Sequence, residues 1–139
     1  MRNKKLTKNF KEKEFVESRF FGDHQDEVIK SYEEDEQAQS NTKLLAEQLQ
    51  VLRNELNKPV SINIGYRPVW WEHKQGRSGN SQHVFGKAAD IVVKGMQASD
   101  VANVISRLIR NGKMQDGGLG VYSSWVHYDI GGKGRRWRK

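Results

Sequence analysis

Three side chains that could share one metal ion come from two separate segments of this chain, so a fold that unites them is strongly constrained. His83 and Asp90 are seven residues apart, with Gly86 between them to let the chain turn. His127 lies in a separate apolar segment near the C-terminus. Two imidazoles and one carboxylate suit a catalytic zinc ion, which uses three protein ligands and keeps a fourth position open for water. If the three converge, the chain is predicted to be a hydrolase.

The residues alone also permit a plainer interpretation. A histidine on an apolar strand is usually a satisfied core residue, and a histidine in a polar loop usually faces solvent. Asp90 is harder to explain in this way, because it lies between Ala89 and Ile91 and a buried carboxylate needs a partner or a metal. His24 and His73 lie in polar surroundings and are expected to face solvent. The chain has no cysteine, so any metal site must consist of His, Asp and Glu.

Length and charge limit the classes of protein to which the chain can belong. The 139 residues are enough for a single domain with one core, and residues 1–6 and 133–139 are expected to be flexible basic ends. The net charge of +7 favours polyanions such as nucleic acid, anionic cell-wall polymers or acidic membranes, although a solvated basic tail explains the C-terminal charge equally well. No nucleic-acid-binding motif accompanies the charge, which disfavours nucleic acid as the main partner.

No segment has the pattern of a secretion signal or a membrane span. Residues 1–10 are basic and polar, and no apolar stretch follows them. We therefore expect synthesis in the cytoplasm without a signal peptide, and no membrane span. We also expect the chain to be a monomer.

Hydrophobic periodicity predicts two amphipathic helices. The first covers residues 41–57, where leucines recur at the spacing of one apolar stripe, and Pro59 ends it. The stripe consists of Leu45, Leu49, Leu52 and Leu56. The second helix begins at a Ser99 cap and ends at Gly112. Its apolar face consists of Val101, Ile105, Leu108 and Ile109.

The N-terminal segment gives weaker signals. Residues 7–18 are predicted to form a short helix behind a Thr7 cap. The acidic residues 23–39 are expected to form either a loop or an exposed helical run, with a solvated face as the simpler expectation.

Alternating and apolar runs predict four strands and an α+β fold, with a small, mainly antiparallel sheet and helices on one side. The strands are Val60–Ile64, Ala88–Val93, residues 119–122 and residues 125–130. The last two are expected to form a hairpin that turns at Ser123 and Ser124. Residues 65–82 carry no predicted element, and loops of this length are often functional.

Several polar residues are candidates to act beside such a metal. Residues two apart in a strand point to the same face, so His127 and Asp129 share one face. Asp129 could then orient His127 through its second ring nitrogen, or act on the activated water. Arg67 directly follows a strand, and its guanidinium could bind a substrate carboxylate or a developing oxyanion. Ser81 and Gln82 are candidate substrate contacts, because they precede the first ligand.

Three sequence motifs resemble one known family. Residues 81–90 read Ser-Gln-His-Val-Phe-Gly-Lys-Ala-Ala-Asp and resemble the Ser-x-His-x-x-Gly-x-Ala-x-Asp signature of zinc D-Ala-D-Ala carboxypeptidases and related peptidoglycan peptidases. Residues 65–67 resemble the arginine motif of that family, and residues 126–129 resemble its third-ligand motif. The resemblance covers about residues 7–137 and is strongest to the carboxypeptidase branch, small versions of which occur in phages and prophages.

The resemblance implies a site, a fold and a substrate. It implies one zinc ion per chain, with His83, Asp90 and His127 as ligands. It implies that Arg67 binds substrate or stabilises the oxyanion, and that the fold is of the zinc D-Ala-D-Ala carboxypeptidase and Hedgehog type. The implied function is hydrolysis of peptide bonds in peptidoglycan stem peptides, as a carboxypeptidase or an endopeptidase, in the bacterial cell wall.

One position departs from the family pattern. Many relatives have a glutamate three residues before the last ligand as general base, and this chain has Ser124 there. A serine hydroxyl cannot take that proton at neutral pH, so the role would pass to Asp129, to another loop or to solvent. Tyr122 could donate a hydrogen bond to the tetrahedral intermediate. Other branches of the superfamily keep the metal site but act in signalling or binding, so the alternative function is an inactive cell-wall-binding or phage structural protein.

Overall fold

A five-stranded, mainly antiparallel sheet is the framework of the structure, a computed structural model that describes residues 3–139. The strands are β1 (Val60–Ile64), β2 (Ala88–Val93), β3 (Gly118–Val121), β4 (Val126–Asp129) and β5 (Arg135–Arg138). Their order across the sheet is β1-β2-β4-β3-β5, and only β3 and β5 are parallel neighbours. The predicted α+β class is confirmed, as are the four predicted strands and the hairpin between β3 and β4.

Helices flank this sheet. The α-helices are α1 (Lys13–Val16), α2 (Gln25–Glu33), α3 (Glu36–Leu56), α4 (Val69–Lys74) and α5 (Ala98–Arg110). Two 3₁₀ helices lie at Arg19–His24 and Gln82–Phe85. Within residues 3–139, no helix combines the length and the apolar character that a membrane crossing requires.

The two faces of the sheet have different surroundings, because successive side chains of a strand point to opposite sides. One face packs against α3 and α5 in the larger core. That core contains Leu45, Leu49, Leu52, Ile91, Ile105, Leu108, Leu119, Val126 and Tyr128. The other face carries the alternate, polar residues of the same strands, among them Asp90, His127 and Asp129. The apolar stripes predicted from periodicity therefore determine which face of the sheet remains free for a site.

A second, smaller core corrects the expectation for the acidic segment. Most of residues 23–39 are helical, and α2 buries Val28, Ile29 and Tyr32 against Ile64, Tyr66 and Trp71. Charged residues dominate the composition of this segment and conceal its apolar face. The long stretch at residues 65–82 also differs from prediction, because it contains α4, which places Trp71 in this core.

Helix ends were predicted less well than helix centres. The first helix is only four residues long, and the Thr7 hydroxyl donates to Gln50 Oε1 at 2.8 Å rather than capping it. Helix α3 begins earlier than predicted, because the Asp35 side chain accepts a hydrogen bond from the Ala38 amide and caps it. Ser99 is also not a cap, since α5 already begins at Ala98.

The chain ends differ from the flexible ends that were expected. Residues 1 and 2 lie outside the described part of the chain, but Leu6 is buried and Lys5 pairs with Lys11 in a β-bridge. Arg135–Arg138 forms the edge strand β5 beside β3. Half-buried and exposed residues alternate along β5, so its charge hid a strand pattern with one face turned towards the sheet.

Gly86 directly follows the 3₁₀ helix that contains His83, and it packs against α3. We expect this position to be intolerant of a side chain. Its φ is 72°, and an added Cβ would lie 2.5 Å from the Ala38 carbonyl oxygen. We predict that Gly86→Ala lowers the free energy of unfolding by more than about 1 kcal/mol in denaturant titrations, through backbone strain and this clash. Gly112→Ala is the matched control, because Gly112 has a φ of 73° and open space around it. Equal losses in the two variants would show that the clash is unimportant.

Candidate metal centre and active site

His83, Asp90 and His127 converge on the polar face of the sheet, as predicted. Their potential ligand atoms all lie within 4.8 Å of one another. Asp90 and His127 are direct partners in the β2–β4 ladder, and Asp90 Oδ1 lies 3.2 Å from His127 Nδ1. His83 Nε2 lies 3.4 Å from the same oxygen. The pairing of β2 with β4 therefore positions Asp90 and His127, and the turn at Gly86 brings His83 beside them.

His83 is held in the orientation that a metal ligand needs. Its Nδ1 lies 2.6 Å from the carbonyl oxygen of Gly65, at the end of β1. Because a carbonyl oxygen can only accept, we assign the ring proton to Nδ1, which leaves the lone pair of Nε2 facing Asp90. The side chain is 2% exposed, and this burial lowers the pKa of His83. Burial thus favours the neutral imidazole that binds metals, and the Gly65 carbonyl selects its tautomer.

Asp129 holds His127 in the same way. Its Oδ2 lies 2.6 Å from His127 Nε2. Its Oδ1 accepts hydrogen bonds from the amides of Gly118 and Gly131 and from the Arg135 guanidinium. Burial acts to raise the pKa of Asp129, but the hydrogen bonds from His127 and Arg135 outweigh it and hold the pKa below its usual range. An ionised Asp129 keeps the proton on Nε2 and leaves Nδ1 free for a cation.

The electrostatics of the cluster suit a divalent cation. Burial acts to raise the pKa of Asp90, but its close contacts with the His127 and His83 rings hold the pKa below the usual range, so the carboxylate is ionised. Burial acts to lower the pKa of His127, and the nearby carboxylates of Asp129 and Asp90 raise it overall. Two carboxylates thus surround two imidazoles, and a divalent cation would balance their charge. Two nitrogen donors and one oxygen donor are the chemistry of a zinc site with an open position.

A cavity of about 390 Å³ opens over the three residues. The five residues predicted to act beside them also line it, namely Arg67, Ser81, Gln82, Tyr122 and Asp129. Other lining residues were not predicted from the sequence, and they include Asn80, Trp125, Arg135 and Trp137.

A buried carboxylate that the sequence analysis missed holds Arg67 in this cavity wall. Glu72, in the first turn of α4, is fully buried and lies 3.4 Å from Arg67 Nη2 and 2.6 Å from Arg77 Nη2. Arg67 Nη2 also donates to Ser81 Oγ at 3.2 Å, and the Arg67 amide donates to the His83 carbonyl. Glu72 was missed because residues 65–82 were predicted to be a loop, in which a glutamate gives no sign of burial.

Ser124 is exposed and lines a neighbouring groove together with Ser123, outside the wall of the 390 Å³ cavity. Among the described residues that line the cavity, the carboxylates are Asp90 and Asp129. The position at which the resemblance implies a general base therefore lies outside the cavity wall.

The other two histidines lie outside the cluster. His73 is exposed, as predicted. His24 is half-buried instead, because its ring packs against Trp70 and Trp71 and its Nδ1 lies 2.9 Å from Glu27.

Strand β5 contributes Arg135 and Trp137, and neither was predicted to belong to the site. Arg135 binds Asp129, and the Trp137 ring centroid lies 5.0 Å from that of His127. The available signal was the pair of alternate glycines in β3, Gly118 and Gly120, which leaves room for large side chains from a neighbouring strand.

Comparison with known proteins agrees with the geometry. The family model described as peptidase M15 matches residues 23–129, which is most of the chain and includes all three residues of the cluster. No curated protein matches the chain. Peptidases of this family are zinc-dependent metallopeptidases, and the His83, Asp90 and His127 cluster supplies a matching set of donors. The chain therefore belongs to the peptidase M15 family, of the zinc D-Ala-D-Ala carboxypeptidase type.

Proposed function

We propose that the protein hydrolyses peptide bonds in the stem peptides of bacterial peptidoglycan, with one zinc ion per chain, and that it acts in the bacterial cell wall. One observation carries the proposal: His83 and His127 each have the second ring nitrogen bound to a fixed acceptor, which leaves the other nitrogen facing Asp90. Histidines that only fill a core do not need this arrangement around a shared carboxylate. The family match supports the same chemistry.

The cavity wall provides groups that can bind a peptide. The Arg67 guanidinium is positioned to bind a carboxylate or carbonyl oxygen of the substrate, and Ser81 and Gln82 lie beside it on the same wall. The Tyr122 hydroxyl can donate a hydrogen bond to the oxyanion that develops during attack. A zinc ion held by His83, Asp90 and His127 would supply a Lewis acid and an activated water.

We propose that Asp129 orients His127 rather than taking a proton from water. Its side chain is fully buried, Oδ1 already has three donors, and Oδ2 faces His127. The carboxylate is therefore occupied by the protein itself. Proton acceptance then falls to solvent or to a group of the substrate.

The position of Ser124 favours a second candidate function. With a serine there, exposed and outside the cavity, the protein could retain zinc and bind murein without cleaving it, as a cell-wall-binding or phage structural protein. The exposed side chains of Arg136 and Arg138 on β5 would then contact anionic cell-wall polymers. Binding of murein without release of peptides would identify this function.

Digestion of purified murein, followed by mass spectrometry, tests the proposed function. We expect the wild-type protein to release peptides, and a chelator or His83→Ala to abolish the release. His83→Ala should also lose the bound zinc, because two ligands cannot replace three. His73→Ala is the matched control, since His73 is exposed outside the cluster, and it should keep both zinc and activity. Peptide release that survives the chelator would contradict the proposal.

Arg67→Lys tests the guanidinium as a substrate-binding group. Lysine keeps the charge but loses the paired donors, so we expect kcat/KM to fall by about tenfold or more while the zinc content stays the same. Arg110→Lys, at an exposed position on α5, is the control and should behave as wild type. Unchanged kinetics in Arg67→Lys would remove Arg67 from the site.

Asp129→Asn separates the two roles that were considered for Asp129. The amide can donate to His127 Nε2, which would move the ring proton to Nδ1 and block the ligand atom. We therefore expect zinc affinity to fall by about 10- to 100-fold in competition with a chelating dye. If Asp129 instead accepts the proton from water, the Asp129→Asn variant should keep normal zinc affinity and have a reduced kcat. Asp116→Asn is the control, because Asp116 pairs with Arg136 outside the cavity wall.

A further inference from the structure

We propose that Trp137, in the C-terminal strand β5, is a positioning residue that directs the proton of the Tyr122 hydroxyl into the active-site cavity. This inference rests on the proposed function, in which Tyr122 stabilises the oxyanion. Strand β5 lies beyond residues 23–129, the part of the chain that the peptidase M15 model matches. The role of Trp137 is therefore a property of this chain that the family match does not describe.

The hydrogen bond between the two side chains fixes the direction of the hydroxyl proton. Trp137 Nε1 lies 2.9 Å from the Tyr122 hydroxyl oxygen. An indole N–H can only donate, so the hydroxyl must accept this bond, and its own proton must point elsewhere. Within residues 3–139, this is the hydrogen bond that the structure shows for that hydroxyl. Its proton is left for a substrate oxygen in the cavity that Tyr122 lines together with His83 and His127.

A second aromatic contact fixes the ring of Tyr122. The ring stacks on Trp125, with 4.6 Å between centroids and an interplanar angle of 11°. Stacking fixes the plane of the Tyr122 ring, and the hydrogen bond from Trp137 fixes the position of its hydroxyl group. Together they hold the hydroxyl in place before substrate binds, which is the condition for effective stabilisation of an oxyanion.

The glycines of β3 explain how a side chain of β5 can reach the site. Gly120 is paired with His127 on one side and with Trp137 on the other. A Cβ at Gly120 would overlap the indole ring, so a glycine is required for Trp137 to lie across β3 against His127. Gly118 is paired in the same way, with Asp129 on one side and with Arg135 on the other. The C-terminal strand thus forms a wall of the cavity.

Single and double substitutions test the coupling between Trp137 and Tyr122. Trp137→Phe keeps an aromatic ring against His127 and removes only the N–H donor. We expect kcat to fall about 100-fold in Tyr122→Phe and about tenfold in Trp137→Phe, with zinc content unchanged in both. The double variant should be no slower than Tyr122→Phe, because Trp137 acts through the hydroxyl. Trp70→Phe is the matched control, since Trp70 donates to the Ser31 hydroxyl outside the cavity wall, and its kcat should be that of wild type.

A measurement that needs no activity tests the pairing itself. In ¹H–¹⁵N spectra, Tyr122→Phe should shift the indole signal of Trp137 and speed its exchange with solvent, while the signal of Trp70 stays unchanged. An unaffected Trp137 signal, or multiplicative losses of kcat in the double variant, would overturn the inference. An inactive wild-type protein whose Trp137 signal still responds to Tyr122→Phe would contradict the proposed function and the catalytic part of the inference, but not the pairing.

Discussion

The antiparallel pairing of β2 with β4 is the constraint on which the rest of the site depends. It places Asp90 opposite His127 on the polar face of the sheet, while Ile91 and Tyr128 pack into the core on the other face. A shift of one residue in this register would exchange the two faces and bury the wrong side chains. The apolar core formed with α3 and α5 therefore stabilises the geometry of the cluster as well as the fold. His83 then joins the cluster from the short 3₁₀ helix anchored to α3.

Buried charge is compensated around the cluster by residues from separate elements. Asp129 is satisfied by two backbone amides, by His127 and by Arg135 from the edge strand. Glu72, from α4, holds Arg67 beside the cavity. A buried carboxylate without such partners would cost several kcal/mol, so these contacts fix side chains that would otherwise move towards solvent. The outcome is a set of ligand atoms and substrate-binding groups positioned before any substrate arrives.

The sequence predicted the parts of the site that depend on local pattern. The motif at residues 81–90 and the motif around His127 pointed to the three residues of the cluster, through their resemblance to a known family rather than through side-chain period and residue type alone. Glu72, Arg135 and Trp137 could not be found in this way, because their roles arise from contacts between strands and loops that are distant in sequence. The basic composition of residues 133–139 concealed β5, whose side chains reach the site only across Gly118 and Gly120. Charge and glycine content were interpreted as flexibility, whereas in the structure they are features of an edge strand.

The proposed activity depends most directly on a zinc ion bound by His83, Asp90 and His127. Crystals of the purified protein, measured on both sides of the zinc absorption edge, would locate the ion by its anomalous scattering. We predict one peak per chain, about 2.0–2.2 Å from His83 Nε2, His127 Nδ1 and a carboxylate oxygen of Asp90. The absence of a peak after zinc is supplied, or a peak bound to other residues, would contradict the assignment of this site.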